Sequence, residues 1–409
     1  MPSVTDPPQP AGPRSLVVVV ALLSMLGPFT IDTYLPSFPD IEAELGVGTA
    51  AMAQTLSLYL LAFAATTLLW GPLSDSFGRR RVATVSLVGY VVASIGCALA
   101  PSFAALLTFR VMQGLTASGG MTIGRAVIRD VHAGPGAQRA MSSVMLLFAV
   151  APAVAPIIGG LLHEWWGWRS VFVFLTAVGV AALALVRFAL PETLHRDARQ
   201  SIHPLRVLRS YARALAQPRF VALVLGIACA FGGMFVYVAG SPAIVFDHLG
   251  YGADDFAVLF VPMVAGLMLG SFVSGRLAHR AAPHATVSAA FAVMAVAVVV
   301  NLLQAHWLAP EAWNLIGPLV LYAFGASLAM PGVTLMALDC FPRQRGMASA
   351  AQGFMQMVTM AAISGAVVPL VIGQVSYFAY GQAALFTLAL AFWGGVRLLH
   401  HRGRRDCGE

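Results

Sequence analysis

The chain has 409 residues, 59% of them hydrophobic and only 10% charged, with a formal net charge of +7 and a mean hydropathy of +0.81. A soluble domain carries about 25% charged residues, so a water-soluble globule is excluded. The apolar residues fall into blocks of about 20, the length that crosses a bilayer core, and the sequence reads as an integral helical membrane protein.

All 24 basic residues are arginine. No basic face interleaved with aromatics lies outside the loops, so the charge fits membrane topology rather than nucleic-acid binding. Cys97, Cys229, Cys340 and Cys407 have no CxxC spacing, which argues against a metal site or a disulfide frame.

In chain order, residues 1–14 are proline-rich and predict a disordered tail ahead of a retained first helix rather than a signal peptide. Twelve spans follow, at 16–37, 50–70, 82–100, 103–123, 138–162, 170–190, 219–240, 255–275, 285–304, 314–337, 348–372 and 381–399. An even number places both termini on one side. Arg79 to Arg81, Arg125, Arg129, Arg139, Arg276, Arg280, Arg343, Arg345 and the arginines of both tails and of the linker share that arginine-rich end. Asp40, Glu42, Glu44, Glu164, Asp247, Asp254, Asp255 and Glu311 share the opposite, acid-rich end, with Arg169. By the positive-inside rule the termini are cytoplasmic.

The longest polar interval, 191–218, divides the helices six and six. The predicted units are therefore a six-helix bundle at 15–190, a cytoplasmic linker at 191–218, a second six-helix bundle at 219–400 and a tail at 401–409. Gly275-Arg276 to Arg280 echoes Gly71 to Arg81 at the corresponding place of the first half, a weak internal symmetry.

Polar residues inside the spans are the functional candidates. Asp32 lies in the first span between Pro28 and Pro36. An acid there costs about 2.5–3.5 kcal/mol on insertion scales, so it is expected to face a cavity or a partner. Arg110 in the fourth span must find acceptors, and Asp32 is the expected partner. Pro152 and Pro156, followed by Gly159 and Gly160, predict a kinked, small-faced fifth span suited to a gating interface. Tyr34, Tyr59, Gln113, Tyr237, Gln352 and Gln356 are candidate cavity residues, with Gln54 and Asn301 beside them. The run Gly71 to Val82, with Asp75, Gly78, Arg79 and Arg80, is a charged hinge in which Asp75 and Arg79 can pair across the turn. No phosphate-cradling, nucleophile-elbow or zinc-protease signature occurs. An enzyme and an ATP-driven pump are therefore disfavoured, no cofactor is expected, and the energy source is an ion gradient.

Gly71 to Val82 resembles the loop motif of the major facilitator superfamily, Arg110 to Gly114 the fourth-helix motif of its proton-coupled members, and Pro152 to Gly160 its drug/proton-antiporter motif. The last departs at Ala155, where glycine is usual. Ile31 to Pro36, with Gly233 to Phe235 and Ser241-Pro242, is similar to the Bcr/CflA family of multidrug-resistance exporters. The resemblance implies twelve helices in two pseudo-symmetric bundles in a bacterial inner membrane, acting as a monomer in lipid. It implies proton-coupled efflux of small amphipathic drugs by alternating access, with neutral compounds such as phenicols favoured because Asp32 is the single acid. Asp32 would be the protonation and substrate-coupling acid and Arg110 the coupling arginine. Asp75, Arg79 and Asp130 would form a cytoplasmic charge cluster that locks the outward-facing state. The alternative is a secondary transporter of an endogenous metabolite such as an amino acid, sugar or siderophore.

Overall fold

The computed structural model describes residues 14–132, 134–194, 204–278, 280–308 and 311–405. Of the two expected tails, residues 1–13 and 406–409 lie outside them, whereas Arg14 opens the first helix and residues 401–405 continue the last. In order the helices are α1 (Arg14–Asp32), α2 (Phe38–Leu45), α3 (Thr49–Phe77), α4 (Arg79–Ala98), α5 (Phe103–Val131), α6 (Gly134–Trp166), α7 (Trp168–Ala189) and α8 (Pro204–Leu215). Then come α9 (Pro218–Ala239), α10 (Phe256–Leu277), α11 (Pro283–Trp307), α12 (Ala312–Asp339), α13 (Arg345–Ala362), α14 (Val368–Val371) and α15 (Val375–Arg405). All but α2, α8 and α14 are long enough to account for the twelve expected spans.

Helices α1 and α3 to α7 pack on one another, as do α9 to α12 with α15. The two halves meet where α3 runs against α13 and α6 against α10. Leucine, valine and phenylalanine side chains on the outside of the bundles are exposed, as a lipid-facing surface requires. Trp165, Trp166, Trp307 and Trp313 are all largely exposed at the acid-rich end, where a tryptophan belt marks a membrane interface.

Two expected spans are broken, and proline explains both. The first ends at Asp32 instead of running to residue 37, gives a tight turn at Leu35–Ser37, and restarts as α2. Pro36 and Pro39 have no N–H for the carbonyls one turn back, so the helix cannot continue through them. The span 348–372 is interrupted by a π-helical turn at Ile363–Val367. There Pro369 cannot donate to Gly365 O, and the freed carbonyl accepts instead from Gln54 Nε2 of α3 at 3.1 Å. Ser57 Oγ donates to Ala361 O at 2.8 Å and Ser364 Oγ to Ala53 O at 3.2 Å. These bonds close the two halves against each other near the acid-rich end. Part of the linker is ordered as α8, which packs on α9 and α13.

Candidate functional site

Arg110 is the largest fully buried side chain of the described residues, with 0% exposure. It projects from α5 into the centre of the first half. Nη1 donates to Thr30 O of α1 at 3.2 Å and to Gln113 Oε1 at 2.9 Å. Gln113 passes the polarity on, Nε2 donating to Ser94 Oγ at 2.8 Å, and Ser94 donates to Tyr90 O at 2.8 Å. Thr30 Oγ1 donates to Leu26 O at 2.6 Å, which leaves Tyr90 as the donor in the 2.7 Å Thr30–Tyr90 contact. By the same reasoning Tyr34 donates to Thr55 at 3.2 Å, because Thr55 already donates to Met52 O.

The guanidinium lies between two rings, its Cζ 4.6 Å from the Tyr34 centroid and 4.5 Å from that of Tyr59. The negative face of an aromatic ring supplies part of what a counter-ion would. Even so, Arg110 Nε and Nη2 and the Tyr59 hydroxyl are enclosed without a hydrogen-bond partner. The arrangement is a positive, fixed constellation with donors to spare, able to receive an acceptor oxygen from a ligand.

The expected Asp32–Arg110 pair is not formed. Asp32 is 5% exposed, and no described cation lies within ion-pair distance of it. Helix geometry gives the reason: two residues along a helix are about 200° apart around it. With the Thr30 side chain turned to Tyr90 in the wall that holds Arg110, the Asp32 side chain leaves the helix on another face. Asp32 is the last residue of α1 and therefore sits toward the acid-rich end.

The cavity candidates divide. Tyr34, Tyr59 and Gln113 converge on Arg110. Tyr237 instead turns into its own bundle, where Asn301 Nδ2 donates to its hydroxyl at 2.6 Å. Gln352 Nε2 donates to Thr334 at 2.9 Å, and Gln356 is half-buried on the next turn of α13.

At the arginine-rich end, Arg79 Nη1 pairs with Asp75 at 2.5 Å and Nε with Asp130 at 3.0 Å, tying the α3–α4 turn to α5. Gly78 carries a φ of +97°, which joins α3 to α4 in a conformation only glycine adopts freely. A Cβ at Gly71 would meet nothing closer than Thr122 at 3.8 Å, so packing does not demand glycine there. The ion pairs of Asp75, Arg79 and Asp130 all stay within the first half among the described residues.

Sequence reasoning missed Glu192 and Thr193, assigned to a solvated linker. The Glu192 carboxylate accepts from the backbone N–H of Arg79 at 2.8 Å and of Arg80 at 3.3 Å, and Thr193 Oγ1 donates to Asp130 at 3.0 Å. Arg80 Nη2 donates to Arg187 O. An acid just after a span on an otherwise arginine-rich face was the available signal. Tyr211 of α8 also ties the linker to α3, donating to Leu68 O at 3.3 Å. Burial and the nearby Asp75 carboxylate push its phenol above the ordinary value.

In α6, Pro152 and Pro156 stand inside the helix, and the paired glycines are contact points. A Cβ on Gly159 would overlap Thr33 O in the turn after α1, and one on Gly160 would overlap Ala253 O, which belongs to the other half. Glycine at 160 is therefore what lets the halves close at the acid-rich end.

The family model described as Major Facilitator Superfamily matches residues 20–366. The bicyclomycin resistance protein homolog of Haemophilus influenzae is 27% identical over 71% of this chain and 72% of its own length. The chloramphenicol resistance protein of Pseudomonas aeruginosa is 29% identical over 82% of this chain and 80% of its own length. Among solved structures, a D-xylose-proton symporter superposes with a TM-score of 0.71 at 16% identity, covering 93% of this chain and 97% of that one.

Proposed function

The chain belongs to the major facilitator superfamily, and from that premise we propose that it exports small amphipathic drugs in exchange for protons by alternating access. Relatives named for bicyclomycin and chloramphenicol resistance support the substrate class. The observation that carries the coupling is Asp32: a carboxyl group 5% exposed, in the same half as Arg110, with no ion-pair partner among the described residues. A group that can hold a proton in one conformation and release it in another supplies the differential binding that alternating access needs. Arg110 answers the substrate, its spare donors exchanging acceptors as Asp32 changes charge. Neutral, hydrogen-bonding compounds such as phenicols suit this half better than dications, because it offers a single buried acid and, apart from it, a fixed cation with spare donors.

In this reading the arginine-rich end faces the cytoplasm of a bacterial inner membrane, and the protein works as a monomer. The halves rock about the α3–α13 and α6–α10 contacts. The cluster of Asp75, Arg79, Asp130 and Glu192 keeps the first half rigid as it moves.

The test is drug-driven proton release. In proteoliposomes with an imposed pH gradient, chloramphenicol is expected to release protons from wild-type protein, and Asp32→Asn to abolish that release while leaving drug binding measurable. Unchanged exchange in Asp32→Asn overturns the assignment of Asp32.

A further inference from the structure

The acid-rich end of the second half holds a cavity of about 270 Å³ that the transport reading does not use. Its polar wall is His248 from the turn after α9, Asn301 and Gln304 of α11, Asn314 of α12, and Gln374 and Ser376 where α15 begins. Among the described residues no aspartate, glutamate or arginine lines it, and the imidazole of His248 is the only aromatic ring. His248 Nε2 donates to Ile372 O at 2.9 Å, which fixes that side of the wall.

Two amides of the wall, Asn301 and Gln304, are incompletely satisfied. Asn301 Nδ2 donates to Tyr237 at 2.6 Å and to Gln382 Oε1 at 2.7 Å. Asn301 Oδ1, Gln304 Oε1 and Gln382 Nε2 are enclosed without a hydrogen-bond partner. Asn301 is 2% exposed and Gln382 0%. Buried amide atoms in this state lose hydration and gain nothing in return; two of them belong to residues that line the cavity, and the third, on Gln382, lies behind the wall against Asn301.

We propose that this cavity binds a small uncharged polyhydroxyl molecule of the sugar-alcohol class. An amide offers a donor and an acceptor side by side, and a hydroxyl group answers both. An ion would enter without a counter-charge and lose its hydration uncompensated. A flat aromatic compound would find no ring pair to stack on. The volume also falls just below the roughly 300–1,000 Å³ of pockets for drug-sized ligands. Asp32 and Arg110 belong to the other half, so occupancy here is separable from the transport reading.

Saturation-transfer NMR with xylitol on the full chain in lipid nanodiscs tests this. Transfer to xylitol is expected with wild-type protein, and a loss of about tenfold in apparent affinity with Ala305→Phe, which fills the cavity without altering a buried amide, and with Gln304→Leu. Glycine betaine, of similar size but zwitterionic and without a hydroxyl group, is expected to receive none. Retained chloramphenicol transport certifies that each variant is folded, and if Ala305→Phe fails that control, Gln304→Leu decides. Absence of transfer to xylitol, equal transfer in the folded variants, or equal transfer to glycine betaine overturns the proposal.

Discussion

The two halves of the molecule share a helix plan but not a core. In the first, a cation sits at the centre, Arg110 held by Thr30 and Gln113 between two tyrosine rings. In the second, the corresponding interior is neutral, Asn301 binding Tyr237 and Gln382. Both interiors are buried and both keep unpartnered polar atoms. One interior thus carries a fixed charge, and the other is made of neutral amides and a phenol.

The largest effect should come from reversing that difference. Arg110→Gln removes charge-assisted hydrogen bonds worth about 1.5–3 kcal/mol each, and drug-driven proton release should fall by about a hundredfold. Arg110→Lys should do little better, since a single ammonium cannot hold two acceptors and fill the space between two rings. Retained exchange in Arg110→Lys would mean that charge alone matters and the ring geometry does not.

Gly160→Val should come next. Its side chain meets the backbone of Ala253 across the seam, so the acid-rich end cannot close. In protein freed of its native cysteines, a cysteine at Ser57 on the α3–α13 seam should react about tenfold faster with an impermeant thiol reagent, equivalent to about 1.4 kcal/mol against the closed state. Gly159→Ala, whose clash with Thr33 O lies within the first half, should slow transport with less effect on that labelling. Equal labelling in the two variants would remove the distinction between a contact inside one half and a contact between halves.

The sequence exposes what is carried by composition and spacing. The apolar blocks and the arginine asymmetry gave twelve helices and two ends, because bilayer thickness and charge placement act on every span. Arg110, Tyr34, Tyr59 and Gln113 could be picked out as polar or aromatic residues inside spans, and they converge; Thr30, Ser94 and Tyr90, which complete the wall, were marked by neither charge nor spacing. What could not be read was direction. Whether Asp32 meets Arg110 depends on which face of α1 each side chain leaves, and a proline that ends the helix at Asp32 sets it. Glu192 was hidden for a different reason: its partners are backbone N–H groups more than a hundred residues away, which no spacing rule marks. The breaks at Pro36 and Pro369 were visible as residues, but the donor that repairs the second, Gln54, comes from the other half.

Removing a neutral partner from the second half should be milder. Tyr237→Phe deletes the acceptor of the 2.6 Å bond from Asn301, a loss of about 1–2 kcal/mol that a thermal shift in nanodiscs would register. Proton exchange should stay within about twofold, an effect well under 1 kcal/mol. A collapse of exchange comparable to that of Arg110→Gln would show that both interiors take part in coupling, and the contrast between the halves would fail.

The smallest effect is expected where the two halves begin their third helices. In the first half the N-terminus of α4 presents backbone N–H groups, and Glu192 accepts from two of them while offsetting the positive end of the helix. In the second half α11 opens on Pro283, which has no N–H to satisfy and needs no such acid. Glu192→Gln keeps one acceptor oxygen but loses the charge, so it should lower stability by about 1 kcal/mol, with transport slowed in proportion to the folded fraction. Pro283→Ala frees one N–H at an end open to water, and should move the melting midpoint less. If Pro283→Ala proved the more damaging of the two, the acid at 192 would not be what holds the α3–α4 turn, and the ion pairs of Arg79 with Asp75 and Asp130 would have to hold it alone.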